Sequence, residues 1–153
     1  MPSLKKEVVT ASAPAKVILF GEHFVVYGEP AVVLAIDRRA YASAQLRKDK
    51  KVYINSSNMR VSGTFSGERF QPQKGGTKAR AKLEPVKNAV QQVLERSKKK
   101  VGVNVQINSD IPVSAGLGSS AAVATSTIKA VSHLLELEFP PDQIFRMAYE
   151  SER

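Results

Sequence analysis

The stretch Ile111-Pro112-Val113-Ser114-Ala115-Gly116-Leu117-Gly118-Ser119-Ser120-Ala121-Ala122 constrains this chain more than any other. On one side lies Val101-Gly102-Val103-Asn104-Val105-Gln106-Ile107, a period-two alternation with one apolar face. On the other lies 119–137, where Ala124, Ile128, Val131 and Leu135 recur at steps of four, three and four. The first pattern predicts a half-buried strand and the second an amphipathic helix. A small-residue loop at such a junction lets backbone approach a ligand, because Gly116 and Gly118 carry no side chain. It also delivers that ligand to a helix N-terminus, where free N–H groups and the positive end of the dipole favour an anion. Ser119 and Ser120 add hydroxyls that can cap the helix or reach a phosphate or a metal. This chemistry suits a phosphate.

Other readings of the segment stay open at this level. It is not a Walker A loop, because no Lys-Ser/Thr pair follows the glycines. Gly116-x-Gly118-x-x-Ala121 matches the dinucleotide pattern in letters. That pattern wants its glycines directly after the strand, however, and eight residues separate Ile107 from Gly116. A capped turn of closely packed small residues is the plain structural alternative.

Around this junction the chain reads as strands first and helices later. Val8–Ala11 and Lys16–Phe20 are short apolar runs parted by Ser12-Ala13-Pro14, a plausible turn. Ala40–Leu46 and Val52–Ile54 follow as strands, Asn55–Asn58 as a turn and 72–82 as a flexible loop. A helix is predicted over 85–96, with Pro85 in the first turn and Val86, Ala89, Val90, Val93 and Leu94 on one face. A third helix begins near Pro141-Asp142 and turns Ile144, Met147 and Ala148 inward. No Gly, Asn or Pro closes it before Arg153, which suggests the front part of a longer design.

Composition narrows the class. With 42% hydrophobic and 24% charged residues over 153 positions, the chain can bury a core as one folded domain. Zero cysteines exclude a disulfide framework, a thiolate zinc site and a cysteine nucleophile. The N-terminus has no signal-peptide stretch, and the longest apolar run, Ala31–Ile36, is far short of a membrane span. A soluble, intracellular domain is the expectation. The net charge of +9 gathers in Arg47–Lys51, Lys74–Lys82 and Lys98–Lys100. Such runs usually form solvated faces, and none of the three holds an aromatic for nucleic-acid stacking. A positive field also suits a phosphorylated small ligand.

A second segment, Pro14-Ala15-Lys16-Val17-Ile18-Leu19-Phe20-Gly21-Glu22-His23-Phe24-Val25-Val26-Tyr27-Gly28, sets a lone lysine on an apolar strand. Lys16 there is either paired with an anion or functional, and Glu22 and His23 offer the same choice. His133, alone on a helix, reads as surface or satisfied core.

Residues 14–28 and 112–122 resemble, in the expected order, the first two signature motifs of the GHMP kinases. Within that superfamily, Lys16–His23 and Pro112-x-x-x-Gly116-Leu117-Gly118-Ser119-Ser120-Ala121-Ala122 look most like the mevalonate kinases. The resemblance implies an α+β fold like domain 2 of ribosomal protein S5, with 1–153 as the N-terminal ATP-binding domain ahead of a ferredoxin-like one. It implies ATP-dependent phosphorylation of mevalonate to 5-phosphomevalonate in isoprenoid synthesis, with Mg2+. It also implies a cytoplasmic protein with small-molecule partners, no membrane, no nucleic acid, and a homodimer among its possible assemblies.

By the same resemblance Lys16 lies by the phosphates and the substrate hydroxyl as a catalytic residue, and Glu22 and His23 line the substrate pocket. Pro112, Val113, Ser114, Ala115, Gly116, Leu117, Gly118, Ser119, Ser120, Ala121 and Ala122 wrap the nucleotide phosphates, with Ser109 near the nucleotide. Ser120 and Glu152 are similar to the magnesium ligands. Ala15 stands where the family often has glycine. The family's catalytic aspartate, in a Pro-Ser-Gly-x-Asp segment, and its third motif would follow the position of Glu152, so the 153 residues alone are expected to be nearly inactive. Another GHMP small-molecule kinase, for homoserine or phosphomevalonate, is the nearest alternative. An S5-like RNA-binding module without catalysis is the reading from another class.

Overall fold

Period-two apolar residues on neighbouring strands must share a face, and in this chain they line up across the sheet. The computed structural model describes residues 7–112 and 114–153. In chain order the elements are β1 (Val8–Phe20), β2 (Val32–Arg47), β3 (Val52–Ser56), β4 (Val61–Ser66), β5 (Arg69–Lys74), α1 (Ala79–Ser97), β6 (Gly102–Ser109), α2 (Ser119–Leu134) and α3 (Pro141–Ser151). The sheet order is β1-β2-β6-β3-β4-β5. Every pairing is antiparallel except β3 with β6, which is parallel and therefore needs the long crossover that carries α1.

Ala44, Val105, Ile54 and Gly63 form one row across four strands, and Ala42, Ile107, Ser56 and Val61 the next. These rows face the helices and are buried, apart from the side-chain-free Gly63 mostly through Ala, Val and Ile. A side chain at Gly63 would run into the Phe70 ring. The opposite face is polar, with Asn55 Nδ2 donating to Gln106 Oε1 at 2.8 Å and Thr10 and Ser43 hydroxyls bonded at 2.8 Å. The result is a two-layer α+β domain with helices on one side only.

Helix positions follow from side-chain volume. On β2, Ala40, Ala42 and Ala44 are each 0% exposed, so α2 comes down closely over β1 and β2. On α1, Ala79, Leu83, Val86, Val90 and Val93 step by four, three, four and three and cover β3 and β4. Helix α3 closes on both helices through Ile144, Met147 and Ala148, as its spacing predicts. His133 is exposed.

Several boundaries differ from the sequence-based expectation. Val8–Ala11 and Lys16–Phe20 are one strand, with a register shift between Pro14 and Ala15 in place of a turn. Pro14 is tolerated because β1 is an edge strand. Helix α1 starts at Ala79, so Pro85 lies inside it and not in its first turn. The stretch 72–82 holds the end of β5, a single 3-10 turn and the start of α1. Helix α3 ends at Ser151, with Glu152 as its C-cap.

At the β2–β3 turn, Arg47 donates from Nε to Asp49 Oδ1 (2.8 Å), from Nη2 to Asp49 Oδ2 (2.7 Å) and from Nη1 to Asn104 Oδ1 (2.6 Å). The two bonds from Arg47 to Asp49, aided by the Lys51 amide, hold the Asp49 carboxyl down from 3.8 to about 2. A depressed carboxylate stabilises the fold fully above its unfolded value, and that contribution disappears as pH falls through about 2. Arg47→Gln is therefore expected to flatten the acid limb of the stability profile between 3.8 and about 2, read by urea unfolding. Separately, Ala42→Leu forces bulk under α2 and should cost about 1–3 kcal/mol in the same measurement.

Candidate functional site

The loop after β6 is set by left-handed residues. Ser114 (φ +61°), Gly116 (φ +68°) and Gly118 (φ +70°) turn the backbone three times within five residues. Gly118 is the N-cap of α2, no side chain caps that end, and no acid stands in its first turn. The first amide to bond back along the helix is Ala122, which donates to the Gly118 carbonyl at 3.0 Å. Among the described residues, the amides of Ser119, Ser120 and Ala121 thus have no backbone partner and are available to a ligand at the positive end of the helix dipole.

Strand β1 holds this loop from the side. The Lys16 amide donates to the Leu117 carbonyl at 3.0 Å, and Lys16 Nζ donates to the Gly116 carbonyl at 3.4 Å. A Cβ on Gly118 would meet Lys16 Cγ at 3.1 Å and Cε at 3.3 Å, so the aliphatic stem of Lys16 lies directly against the helix cap. Beneath, Ala13, Ala15, Ala40, Ile111 and Ala122 form a small buried cluster. Ala15 at 1% exposure leaves no room for a larger residue next to Lys16.

The loop faces a cavity of about 480 Å³. Ser114, Ala115, Gly116, Leu117, Gly118, Ser119, Ser120 and Ala121 line it, and so do Ser109 and Glu152. The C-cap of α3 thereby brings a carboxylate to the same cavity as the Ser120 hydroxyl. Hydroxyl and carboxylate oxygens suit a hard divalent cation, and a ligand's phosphate oxygens and water can complete its shell. Pro112 is exposed and Ala122 buried, and neither lines the cavity. Val113 lies outside the described residues.

Glu22 and His23 are exposed on the turn that follows Gly21, beyond the end of β1. Neither they nor Lys16 line the cavity; Lys16 is tied to the loop by its hydrogen bonds, while Glu22 and His23 stand apart on the same ribbon.

Residues illegible in the sequence complete the cavity. Met59, Pro85, Val86 and Ile107 supply an apolar wall, and Lys82 lies on the lining as well. Asn58 clamps the far side: its Nδ2 donates to the Ser109 carbonyl at 2.6 Å, and the Ser109 amide donates to its Oδ1 at 2.7 Å. The Ser109 hydroxyl then accepts the Ile111 amide at 3.1 Å, which starts the loop on its course. In sequence Asn58 carried only a turn signal, because its partner lies 51 residues away.

Comparison with known proteins places the fold among kinases of small molecules. Residues 84–153 match the family model for the GHMP kinases N terminal domain. A mevalonate kinase of Pyrococcus furiosus is 49% identical over 148 residues, covering 94% of this chain and 44% of that protein. The chain therefore spans less than half the length of the relatives it matches. The crystal structure of the Methanococcus jannaschii mevalonate kinase superposes with TM-score 0.75 at 28% identity, over 99% of this chain and 47% of that one. A Lactococcus lactis galactokinase complexed with galactose gives TM-score 0.75 at 25% identity, over 96% of this chain and 38% of that one.

Gly118→Ala tests the cradle itself. A β-carbon in a left-handed backbone costs roughly 1–2 kcal/mol, and here it would also displace Lys16. Thermal unfolding should register that loss. Calorimetric binding of tripolyphosphate should weaken by about tenfold or more, the equivalent of at least 1.4 kcal/mol.

Proposed function

Since this chain carries the N-terminal fold of the GHMP kinases and is similar to mevalonate kinases over nearly its whole length, we propose that it is the nucleotide-binding portion of an enzyme that phosphorylates mevalonate to 5-phosphomevalonate with ATP. The observation that carries this reading is the cavity shared by residues 114–121 and Glu152, with Lys16 bonded to the loop that forms its edge. Phosphoryl transfer asks a protein for positioning and charge neutralisation more than for covalent chemistry.

In this reading the free amides of Ser119, Ser120 and Ala121 hold phosphate oxygens, and the α2 dipole favours their charge. Ser109 and the rest of the 112–122 segment shape the approach, while the apolar wall of Met59, Pro85 and Val86 takes the nucleobase. Lys16 brings a positive charge beside the phosphates, within reach of the transferred group. Ser120 and Glu152 would hold magnesium, which when bound would supply positive charge against the phosphates. Glu22 and His23, polar groups at the end of the ribbon, recognise mevalonate. The base that takes the hydroxyl proton is assigned by resemblance to an aspartate after the position of Glu152, so the test uses a protein of the relatives' full length. The 153 residues alone are assigned nucleotide binding without efficient turnover.

The fold is shared by kinases of other small molecules, as the galactokinase match illustrates, so fold alone does not select the acceptor. Identity of 45–49% to several mevalonate kinases favours mevalonate over homoserine or phosphomevalonate, and a substrate panel decides among them. The reading further assigns the protein to the cytoplasm and to isoprenoid synthesis.

In the full-length protein, Ser120→Ala is expected to lower kcat/KM for magnesium-ATP by at least tenfold, about 1.4 kcal/mol of transition-state stabilisation. The KM for mevalonate should stay near its original value. ATP kinetics unchanged by the substitution would remove Ser120 from the metal site, and no turnover of mevalonate by the unmodified protein would remove the acceptor.

A further inference from the structure

Two basic runs about fifty residues apart in sequence meet at one end of the sheet, and the proposed kinase chemistry uses neither. Lys48, Lys50 and Lys51 lie at the β2–β3 turn, and Lys98, Lys99 and Lys100 in the connection from α1 to β6. The two segments are held side by side by backbone. Arg47 pairs in register with Gly102, and the Val103 amide donates to the Lys51 carbonyl at 3.1 Å. Gly102 has no side chain where the turn crosses it, and a Cβ there would meet the Lys51 amide nitrogen at 2.8 Å. Strand β6 runs from this end to Ser109. Its eight residues at ~3.3 Å each put the patch roughly 25 Å from the phosphate cradle.

All six lysines are exposed. Lys99 Nζ donates to the Leu135 carbonyl at 3.2 Å, and among the described residues none of the six forms an ion pair. The acid within the turn, Asp49, is already taken by Arg47 at 2.7 Å. Glu136 and Glu138, exposed just beyond Leu135, reach none of them at ion-pair distance. Like charges gathered this way repel one another, and a polyanion laid across them relieves the repulsion. Lysine offers point charges on flexible stems, suited to phosphates in sequence and not to bidentate reading of a base edge. Neither run contains an aromatic for stacking, which disfavours single-strand recognition. Neither contains an apolar residue that would enter a membrane.

We propose that this end of the domain binds the phosphodiester backbone of double-stranded nucleic acid, without sequence preference, at a surface separate from the cradle. The proposal does not depend on the kinase reading. Fluorescence anisotropy with a labelled random duplex of about 20 base pairs tests it on the 153-residue chain at increasing salt. Binding is expected at about 50 mM salt, with log K falling against log salt at a slope of about −4 to −5, as the five lysines other than Lys99, whose ammonium is held by the Leu135 carbonyl, require at ~0.9 each. Lys50→Gln and Lys98→Gln should each reduce that slope by about 1. Combining Lys48→Gln, Lys50→Gln, Lys98→Gln and Lys100→Gln should abolish binding with the thermal midpoint unchanged. A non-hydrolysed ATP analogue should not compete. Absence of binding at low salt overturns the proposal, as does binding indifferent to the glutamine substitutions. Tighter binding to anionic phosphatidylglycerol vesicles or inorganic polyphosphate than to the duplex overturns it too, because the patch then serves a different polyanion.

Discussion

The site depends on one join: strand β1 hydrogen-bonds to the loop that precedes α2. The Lys16 amide gives its proton to the Leu117 carbonyl, and the Lys16 stem rests on Gly118. Without that join the loop would be a run of glycine and serine with nothing to select a conformation. With it, three left-handed residues are held in place, the last of them the Gly118 N-cap of α2. The strain of a left-handed Ser114, on the order of 1–2 kcal/mol, is offset by surroundings that fix both ends of the loop. Asn58 and Ser109 anchor its start, and the α2 N-terminus anchors its finish.

Placing α2 correctly is a separate requirement, met by small residues. The alanines of β2 and β1 let the helix approach the sheet closely, and Ala122 enters the same cluster as Ala13 and Ala15. A larger side chain at any of these positions would lift the helix and move its N-terminal amides together with it. The alanine at position 15, which stands where the resembling family often has glycine, fits because it adds only a methyl to a tight contact. Packing of apolar groups and aim of polar groups are here one geometric fact.

What was legible in the sequence was periodic or glycine-marked. Strand β6 and the buried faces of α2 and α3 were read from spacing, because each presents one face to the core over its whole length. The glycine-rich loop between β6 and α2 is legible from composition at a strand–helix junction. The hairpin of β4 and β5 leaves no sequence signal, since β5 is a polar edge strand with Pro72 inside it and has neither alternation nor a buried face to announce it. Composition hides the first six residues of α1, because Lys78, Arg80 and Lys82 resemble a loop although Ala79 and Leu83 already continue the stripe. Pro85 pointed the wrong way for the same reason, since a proline is commoner in the first turn of a helix than seven residues into one. The cavity wall was out of reach altogether. Asn58, Met59, Lys82 and Pro85 join it only through pairing of strands and helices far apart in sequence.

Charge was the least legible property, because a count says nothing about direction. The surplus of +9 could have surrounded the cradle and acted as one field drawing phosphates toward it. Instead, six lysines from two distant runs converge at the far end of β6, and of the third run only Lys82 reaches the cavity lining, where the proposed cradle would draw on backbone amides, a helix dipole and the neighbouring Lys16. These two arrangements favour anions by different physics. Backbone amides at fixed positions select a compact group by geometry and hold it when salt rises. Lysines on flexible stems select by charge density alone, and salt screens them. A sheet whose central strand carries one arrangement at each end keeps the two apart, so polyanions attracted to the lysine end need not crowd the mouth of the cavity.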